Sequence, residues 1–344
     1  MDSQYGQDMI NSNDGPRTLV PDEAQFTVVL AANNTYAVPL LVTILSLVEN
    51  AKDTTCYQIH ALISSDFDSI YAEAANAILV NFGMPPAVFH NMGNEYGNVR
   101  LHISHTSVQT FYRLRIPSLL DCDRCLYLDV DTIVLRDLSD LLTMDMGDAY
   151  IAGVRAAGYY WPPERRQLHV ERLGISAFDQ YVNAGVLLMN IAAMREDDIE
   201  DEFAKLLGRD FESQDQDILN VACYGRIRLL PPRYNSMTKY GNVDPSGYDG
   251  EFGSALRECY GRIDWEEACL RPAIVHYADR IKPWDSMAVP HVEEWWRYAL
   301  ALGAWLPFKE HVIHGLIRPS IAERYRRVSL DALMSEMIGQ VNRS

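Results

Sequence analysis

Two aspartates separated by a single residue are the side chains best suited to do chemistry in this chain. Asp129 and Asp131 follow the apolar run 125–128, which is typical of a buried strand. Because alternate residues of an extended chain point to the same side, both carboxylates project together where the strand ends. Burying two negative charges without a counterion is costly, so a divalent cation is their natural partner. A pair of turn carboxylates held by backbone amides is the structural alternative.

Two common metal-binding motifs do not match the spacing of residues around Asp129 and Asp131. An EF-hand loop that began at Asp129 would need glycine at its sixth position, where this chain has Val134. The Asp-x-Asp-x-Thr motif of haloacid-dehalogenase phosphohydrolases requires a residue between the second aspartate and the threonine. Here Thr132 follows Asp131 directly, so that class is excluded.

A histidine and a lysine near the C-terminal part of the chain form a second candidate group. His276 ends a short apolar run, and Lys282 precedes Pro283 and Trp284. An imidazole at a strand end can ligate a metal, and a lysine in a proline-restrained loop can contact phosphate. A histidine that is merely hydrogen-bonded within the structure is the alternative.

Two polar segments complete the set of candidates. Asn183 and Ala184 precede a glycine and a buried strand, which lets the backbone approach a ligand closely, although a plain buried strand fits equally well. Asp215 and Gln216 stand at the start of a predicted helix, where acids could simply complement the helix dipole.

These residues need a framework, and the pattern of the chain predicts an α/β fold. Apolar β-branched runs alternate with helix-length segments, as expected of βαβ units. The predicted strands are 25–32, 57–64, 87–90, 124–128, 132–135, 149–154, 181–190 and 273–277. The predicted helices are 36–48, 69–82, 110–120, 191–207 and 217–224, and 240–254 is predicted to be an acidic, glycine-rich loop.

Composition narrows the class of protein further. The 344 residues carry 30 Lys and Arg against 47 Asp and Glu, a net charge of −17, which argues against nucleic-acid binding. Any polyanionic ligand must therefore be met by local cations or by a metal. Six cysteines are too few for a disulfide framework, and no signal peptide or membrane-spanning run is evident, so we expect a cytoplasmic protein with reduced thiols.

The sequence divides into three parts. Residues 1–24 are polar and acidic and predict a flexible tail, residues 25–290 a catalytic domain, and residues 291–344 a helical C-terminal extension. The extension is rich in tryptophan, and residues 318–327 carry four arginines against one glutamate. Such a segment could hold the protein at the inner face of a membrane, and helices packed back onto the domain are an equally good interpretation.

Taken in order along the chain, the candidate groups resemble family 8 glycosyltransferases, especially bacterial lipopolysaccharide galactosyl- and glucosyltransferases. The likeness covers about residues 25–284. The motifs are Asn33-Asn34-Thr35-Tyr36, Arg113, Tyr-Leu-Asp129-Val-Asp131, Asn183-Ala-Gly-Val-Leu-Leu, Gln-Asp215-Gln216-Asp and His276-Tyr…Lys282-Pro-Trp284. The resemblance implies a GT-A fold, which is a Rossmann-like domain with a mixed central sheet. It also implies a UDP-sugar donor, Mn²⁺ or Mg²⁺, and transfer of glucose or galactose with retention to a saccharide or glycolipid acceptor.

The resemblance also assigns roles to residues. It implies that Asp129, Asp131 and His276 hold the metal and that Val130 lies against the donor. Residues at the uridine would be Ala31, Asn33, Thr35 and Tyr36, and those near the diphosphate or sugar would be His105, Arg113, Asp279 and Lys282. The sugar pocket would contain Asn183, Ala184, Asp215 and Gln216, the last two as catalytic residues.

The chain departs from the family pattern at two positions, and two other activities compete with the main interpretation. Asn33 replaces a usual aspartate, and Asp279 replaces a usual glycine. An amide at Gln216 is a poor nucleophile, which favours departure and attack on one face of the sugar. A nucleotidyltransferase would carry a basic glycine-rich loop near the N-terminus, which is absent from 31–34. An inactive sugar-nucleotide-binding scaffold need not retain a metal site.

Overall fold

Two β-sheets frame the part of the chain that the computed structural model describes, which is residues 25–99, 101–102, 107–160, 162–238 and 244–305. The predicted tail and residues 306–344 of the predicted extension lie outside these ranges. The strands are β1 (Gln25–Ala32), β2 (Cys56–Ile63), β3 (Val88–Asn91), β4 (Arg124–Leu128), β5 (Thr132–Val134), β6 (Ile151–Arg155), β7 (Val182–Asn190), β8 (Ile227–Leu229), β9 (Ser236–Met237) and β10 (Ile274–His276).

The α-helices of the described residues lie mainly between these strands. They are α1 (Ala37–Glu49), α2 (Ser69–Asn81), α3 (Ile116–Leu119), α4 (Ser139–Leu142), α5 (Pro163–Leu173), α6 (Ile191–Glu196), α7 (Ile199–Leu206), α8 (Gln214–Ala222), α9 (Gly253–Cys259), α10 (Arg262–Leu270) and α11 (Val292–Ala301). None of these helices combines the length and the apolar character needed to cross a membrane.

The large sheet is mixed, and its topology decides where a site can form. Its order is β3-β2-β1-β4-β7-β6-β8, and β1 to β4 are parallel while β7 runs antiparallel to β4 and to β6. The reversal places the beginning of β7 at the same edge as the ends of β1 and β4. Polar residues that are distant in sequence therefore meet at this edge, as is usual for open α/β sheets.

The small sheet brings the histidine to the same place. Its order is β5-β10-β9, and the antiparallel pairing of β10 with β5 sets His276 opposite Thr132. The backbone N–H of Tyr277 donates to the carbonyl oxygen of Asp131 at 2.9 Å, which extends this pairing. The strand that ends in His276 is thus aligned beside the second aspartate.

The sequence of helix α1 is almost wholly apolar because every residue from Ala37 to Val48 is buried. The two hydroxyl groups of this helix, on Thr43 and Ser46, form hydrogen bonds with the segment 130–134. Thr43 Oγ1 donates to the carbonyl oxygens of Val130 and Thr132 at 3.0 and 2.8 Å, and Ser46 Oγ accepts from the backbone of Val134. The helix therefore fixes the segment that carries Asp131.

Helix α11, the first helix of the predicted C-terminal extension, packs into the same core. Trp295 and Tyr298 are fully buried, and Tyr298 accepts a hydrogen bond from Asn50 at the end of α1. Trp295 also contacts Trp284, whose ring lies 5.9 Å from that of Tyr36. These aromatic contacts anchor the loop that carries the candidate lysine.

The expectation of an α/β fold is confirmed, and some local predictions are wrong. The single helix predicted over 191–207 is two helices, because Asp198 adopts a left-handed conformation (φ 48°) and Asp197 accepts a hydrogen bond from Tyr150. The segment predicted as a helix over 110–120 is a 3₁₀ helix, Val108–Arg115, followed by α3. The loop predicted over 240–254 contains a 3₁₀ turn, Pro245–Asp249, and the start of α9.

Candidate active site

A cleft of about 750 Å³ opens at the edge where β1 and β4 end and β7 begins. A volume of this size is typical of a site for a nucleotide-sized ligand. Its floor is formed by residues that follow β4 and β10, and one wall is formed by the first turn of α8.

Asp129, Asp131 and His276 converge on this floor. One ligand atom from each lies within 4.8 Å of the others. His276 Nε2 is 3.3 Å from Asp131 Oδ1 and 3.8 Å from Asp129 Oδ2. Two carboxylates and one imidazole at these separations form a mixed oxygen and nitrogen donor set that fits a divalent transition metal.

The environment of His276 supports that fit. Asn235, which is 1% exposed, faces Nδ1 of the imidazole at 3.0 Å through its side-chain oxygen. A proton on Nδ1 leaves the lone pair of Nε2 toward the two aspartates, which is the arrangement that metal-binding histidines require.

Gly185 makes the close packing at the triad possible. A Cβ atom there would lie 2.7 Å from Asp129 Oδ2 and 2.9 Å from His276 Nδ1, and closer still to His276 Cε1. The backbone oxygen of Gly185 also accepts from the N–H of Asp129 at 2.7 Å. The glycine of the predicted Asn-Ala-Gly segment therefore lets β7 approach the acid pair.

Lys282 lies directly beside the triad. Its ammonium group is 2.6 Å from Asp131 Oδ2 and 2.7 Å from the carbonyl oxygen of Tyr277, and the residue is only 6% exposed. Burial alone would raise the pKa of Asp131, but the neighbouring ammonium group of Lys282 holds that pKa well below its usual range. Asp131 is therefore a permanent anion, as a metal ligand must be.

Arg113 ties the metal end of the cleft to the first turn of α8. Its guanidinium donates to Asp129 Oδ1 at 2.9 Å, and Nε lies 3.0 Å from Asp215 Oδ2. Burial acts to lower the pKa of Arg113, but Asp129, Tyr127 and Asp215 together raise it. Because the group is 3% exposed and paired on both sides, it orients the two aspartates.

Asp215 is buried at the end of the cleft away from the metal ligands. Thr110 donates to its Oδ1 at 2.6 Å, whereas Oδ2 is paired with the charge of Arg113 at 3.0 Å but accepts no well-aligned hydrogen bond from the described residues. Burial raises the pKa of Asp215 to about 6, although Arg113 acts in the opposite direction. A buried carboxylate oxygen that lacks a donor suits an incoming hydroxyl group.

Gln216 is held at both ends of its amide. Its oxygen accepts from the side chain of Asn183 at 3.0 Å and from the backbone N–H of Ala184 at 3.1 Å, and its nitrogen donates to the hydroxyl of Tyr181 at 3.0 Å. The predicted sugar-pocket residues 183, 184, 215 and 216 therefore form one contiguous wall.

The other predicted binding residues fall into three groups. Ala31, Asn33, Tyr36, Val130 and Asp279 line the same cleft. Thr35 is exposed on the 3₁₀ turn Asn34–Tyr36 and is not among the lining residues. His105 lies outside the described residues.

Several site residues were missed from the sequence. Asn235 and Tyr181 carry no motif and reach the site through the fold alone. Part of the cleft is lined by Gly158 and Tyr159 of a 3₁₀ helix and by Arg165 and His169 of α5, which was not predicted. A proline pair followed by a glutamate, at 162–164, is a helix-start signal that could have revealed α5.

The comparisons with known proteins agree with this geometry. Residues 27–288 match the family described as Glycosyl transferase family 8, which is most of the described chain. The chain therefore belongs to glycosyltransferase family 8 and is a hexosyltransferase. Family membership decides against the nucleotidyltransferase, and the retained cluster of Asp129, Asp131 and His276 argues against the inactive scaffold.

Individual relatives are distant and differ in length. The general stress protein A of Bacillus subtilis is 25% identical over 283 residues, which are 79% of this chain and 92% of that protein. Glycosyltransferase GlyE of Streptococcus pneumoniae is 32% identical over 211 residues, 60% of this chain and 44% of that protein. A lipopolysaccharide 1,2-glucosyltransferase of Escherichia coli is 26% identical over 190 residues, 54% of this chain and 51% of that protein.

Solved structures confirm the GT-A fold. The galactosyltransferase LgtC, in complex with donor and acceptor sugar analogues, superposes with a TM-score of 0.67 at 25% identity, covering 81% of this chain and 96% of LgtC. The bifunctional glycosyltransferase WbbM superposes with a TM-score of 0.71 at 22% identity, covering 87% of this chain and 53% of WbbM.

Proposed function

We propose that this family 8 member transfers glucose or galactose from a UDP-sugar to a saccharide or glycolipid acceptor, with retention of the anomeric configuration. The observation that carries the proposal is the convergence of Asp129, Asp131 and His276 on the floor of a cleft large enough for a nucleotide sugar. The donor set suits Mn²⁺ better than Mg²⁺, which prefers oxygen ligands and water.

The charges around the triad support a diphosphate as the ligand. When bound, the divalent cation would neutralise the pyrophosphate and stabilise UDP as the leaving group. Lys282 is a buried ammonium on the same floor and can contact a phosphate oxygen. Asp279 lines the cleft as well, with one carboxylate oxygen held by the backbone N–H of Arg280.

The nucleoside end of the donor is assigned to the end of β1. Asn33 accepts from the backbone N–H of Tyr36 and donates to Gln109, so its amide has a fixed orientation in the wall. Ala31 lines the same part of the cleft and leaves room beside it, as a planar base and ribose require. The exposed Thr35 would reach the ribose only from the rim.

The sugar pocket supports reaction on one face. Asp215 offers its buried Oδ2 to a sugar hydroxyl. A double displacement would need a free carboxylate as nucleophile, but Asp215 is packed between Thr110 and Arg113, and both oxygens of Asp217 accept hydrogen bonds. The charge of Asp215 is paired with Arg113 and both oxygens of Asp217 are occupied, so neither acid is a good nucleophile, and departure of UDP and attack by the acceptor on the same face remain.

A panel of UDP-sugars tests the proposal, with release of UDP as the readout. We expect slow hydrolysis of UDP-glucose or UDP-galactose in the presence of Mn²⁺, abolished by EDTA and by Asp131→Ala. Replacement of Gln216 by alanine should lower turnover more than donor affinity. Activity that survives chelation would contradict the metal assignment.

A further set of cleft residues is available to contact the acceptor. The cleft is also lined by Tyr159, Arg165, His169 and Glu212, a mixture of aromatic and charged groups suited to a saccharide. The lipopolysaccharide glucosyltransferase among the relatives supports a lipopolysaccharide or another cell-surface glycan as the acceptor.

Peripheral membrane association belongs to the same proposal, because a glycolipid acceptor lies at a membrane. The arginine-rich segment 318–327 supports it from sequence. We expect the full chain, but not a chain truncated after Gly303, to float with anionic liposomes. Equal recovery of both chains would contradict the association.

A further inference from the structure

A continuous hydrogen-bond chain joins the imidazole of the triad to the amide of Gln216. Each link is between 2.5 and 3.0 Å. The links run from His276 Nδ1 to Asn235 Oδ1, from Asn235 Nδ2 to Asn183 Oδ1, from Asn183 Nδ2 to Gln216 Oε1, from Gln216 Nε2 to the Tyr181 hydroxyl, and from that hydroxyl to Asp217 Oδ1.

Two backbone N–H groups fix the direction of every link. The N–H of Gly185 donates to Asn183 Oδ1 at 3.0 Å, and the N–H of Ala184 donates to Gln216 Oε1 at 3.1 Å. A backbone N–H can only donate, so the side-chain atom that faces it must be an oxygen. The orientations of both amides therefore follow from the start of β7 and not from a choice between similar atoms.

At the metal end, this direction determines the tautomer of His276. Asn183 Oδ1 accepts from Asn235, so the other end of the Asn235 amide, its oxygen, faces the imidazole. That oxygen can only accept, which places the proton on Nδ1. Nε2 is then the ring nitrogen that faces Asp129 and Asp131, where a bound cation would take its lone pair.

At the sugar end, the direction of the hydrogen-bond chain determines which hydrogen bonds Gln216 can still form with a ligand. Both lone pairs of its oxygen are used by Asn183 and Ala184, and one hydrogen of its nitrogen is given to Tyr181. Tyr181 accepts that hydrogen because its own proton goes to Asp217. Among the described residues, no partner takes the second N–H of Gln216, and the side chain lines the cleft.

We propose that Asn235 and Tyr181 are positioning residues at opposite ends of one polarised chain. Asn235 fixes the metal-binding tautomer of His276, and Tyr181 fixes Gln216 so that it meets the sugar as a hydrogen-bond donor. The part that concerns the sugar rests on the proposed function. The part that concerns the histidine requires only the metal-free protein.

The histidine end is tested on the metal-free full chain labelled with ¹⁵N-histidine, at pH 8.5, with His276→Gln to assign the signal. We expect a proton on Nδ1 in the wild type and in Asn235→Asp, which keeps the acceptor. Asn235→Leu should lose it and should bind Mn²⁺ about 10- to 100-fold more weakly by calorimetry, since outer partners of ligating histidines have effects of this size. An Nε2–H tautomer in the wild type, or equal Mn²⁺ affinities in Asn235→Leu and the wild type, would overturn the assignment. If Asn235→Leu does not fold, the wild-type spectrum still shows whether Nδ1 of His276 carries the proton that the Asn235 oxygen requires.

The sugar end is tested by two matched tyrosine variants. Tyr181 and Tyr160 are both buried and both contact Phe178, and the Tyr160 hydroxyl binds only the carbonyl oxygen of Phe178 among the described residues. We expect Tyr181→Phe to lower kcat about 10-fold or more with the donor KM within about 2-fold, and Tyr160→Phe to change neither. Equal losses in both variants, or a raised KM with unchanged kcat, would overturn the role of Tyr181. If no UDP-sugar is turned over by the wild type, the proposed function fails, while the spectrum and Mn²⁺ affinities still decide the role of Asn235.

Discussion

Replacing Gly185 by alanine is the sharpest single perturbation of the candidate site. The added Cβ would lie 2.7 Å from Asp129 Oδ2 and 2.9 Å from His276 Nδ1, whereas ordinary contacts begin near 3.4 Å. The backbone of Gly185 cannot retreat easily, because its carbonyl oxygen is bonded to the N–H of Asp129. The ligands themselves must therefore move, by on the order of 1 Å.

A displacement of this size is large for a catalytic site. Misplacing reacting groups by about 1 Å costs roughly 100-fold in rate, and overpacking a filled interior costs about 1–3 kcal/mol of the free energy of unfolding. We expect Gly185→Ala to lower kcat/KM by about 100-fold and to weaken Mn²⁺ binding measurably. The assays are UDP release over a range of donor concentrations, calorimetric titration with Mn²⁺, and unfolding in urea.

The chain offers a matched control for this substitution. A Cβ at Gly208 would meet no atom within 4 Å, and that glycine does not have a positive φ. Gly208→Ala should therefore leave activity unchanged and raise the free energy of unfolding by about 0.4–1 kcal/mol, because alanine reduces the entropy of the unfolded chain. If Gly185→Ala kept kcat/KM within 3-fold of Gly208→Ala, the close approach of β7 to the triad would not matter, and the reasoning would be refuted.

Two predictions concern pH. Burial raises the pKa of Asp215 to about 6, so the charged carboxylate that accepts from a sugar hydroxyl is present mainly above that pH. The value of kcat/KM should therefore fall as the pH drops through about 6. If Asp215→Asn shows the same inflection in its pH profile, the inflection belongs to another group. Burial and the neighbouring His90 lower the pKa of His60 from 6.5 to about 4, so the unfolded chain binds more protons than the folded chain between these values. The stability that neutral His60 contributes is present above pH 6.5 and lost as pH falls toward 4. His60→Gln should therefore show a smaller drop in the free energy of unfolding from pH 7.5 to 5 than the wild type, and an equal drop would contradict the prediction.

The strands that carry the site could be predicted because their patterns are local. The run before Asp129 is apolar and β-branched residues follow Asp131, and β4 begins and ends where the sequence pattern places it. Helix α8 begins three residues earlier than predicted, at Gln214, which has a φ of 53°. A helix that begins with a non-glycine residue in the left-handed region gives no local signal, because tertiary contacts hold that residue there.

The partners of these residues could not be predicted, because they depend on pairings between distant strands. Asn235 reaches His276 only because β9 runs parallel to β10, and Asn183 reaches Gln216 because Asn220 of α8 is hydrogen-bonded to the backbone of Val182 on β7. Periodicity reports which face of a strand is buried, but not which strand lies beside it. The sequence therefore indicates the ligands of a metal more readily than the residues that orient those ligands.

Arg113 and Lys282, two buried cations that line the cleft, are already paired with aspartates. Arg113 lies between Asp129 and Asp215, and Lys282 is bound to Asp131. Lys282 can turn to a diphosphate only when Asp131 has another positive partner, since separating a buried ion pair leaves an uncompensated charge. A divalent cation between the aspartates would supply that partner. In a chain with a net charge of −17, we therefore expect the affinity for the proposed polyanionic donor to depend on the metal.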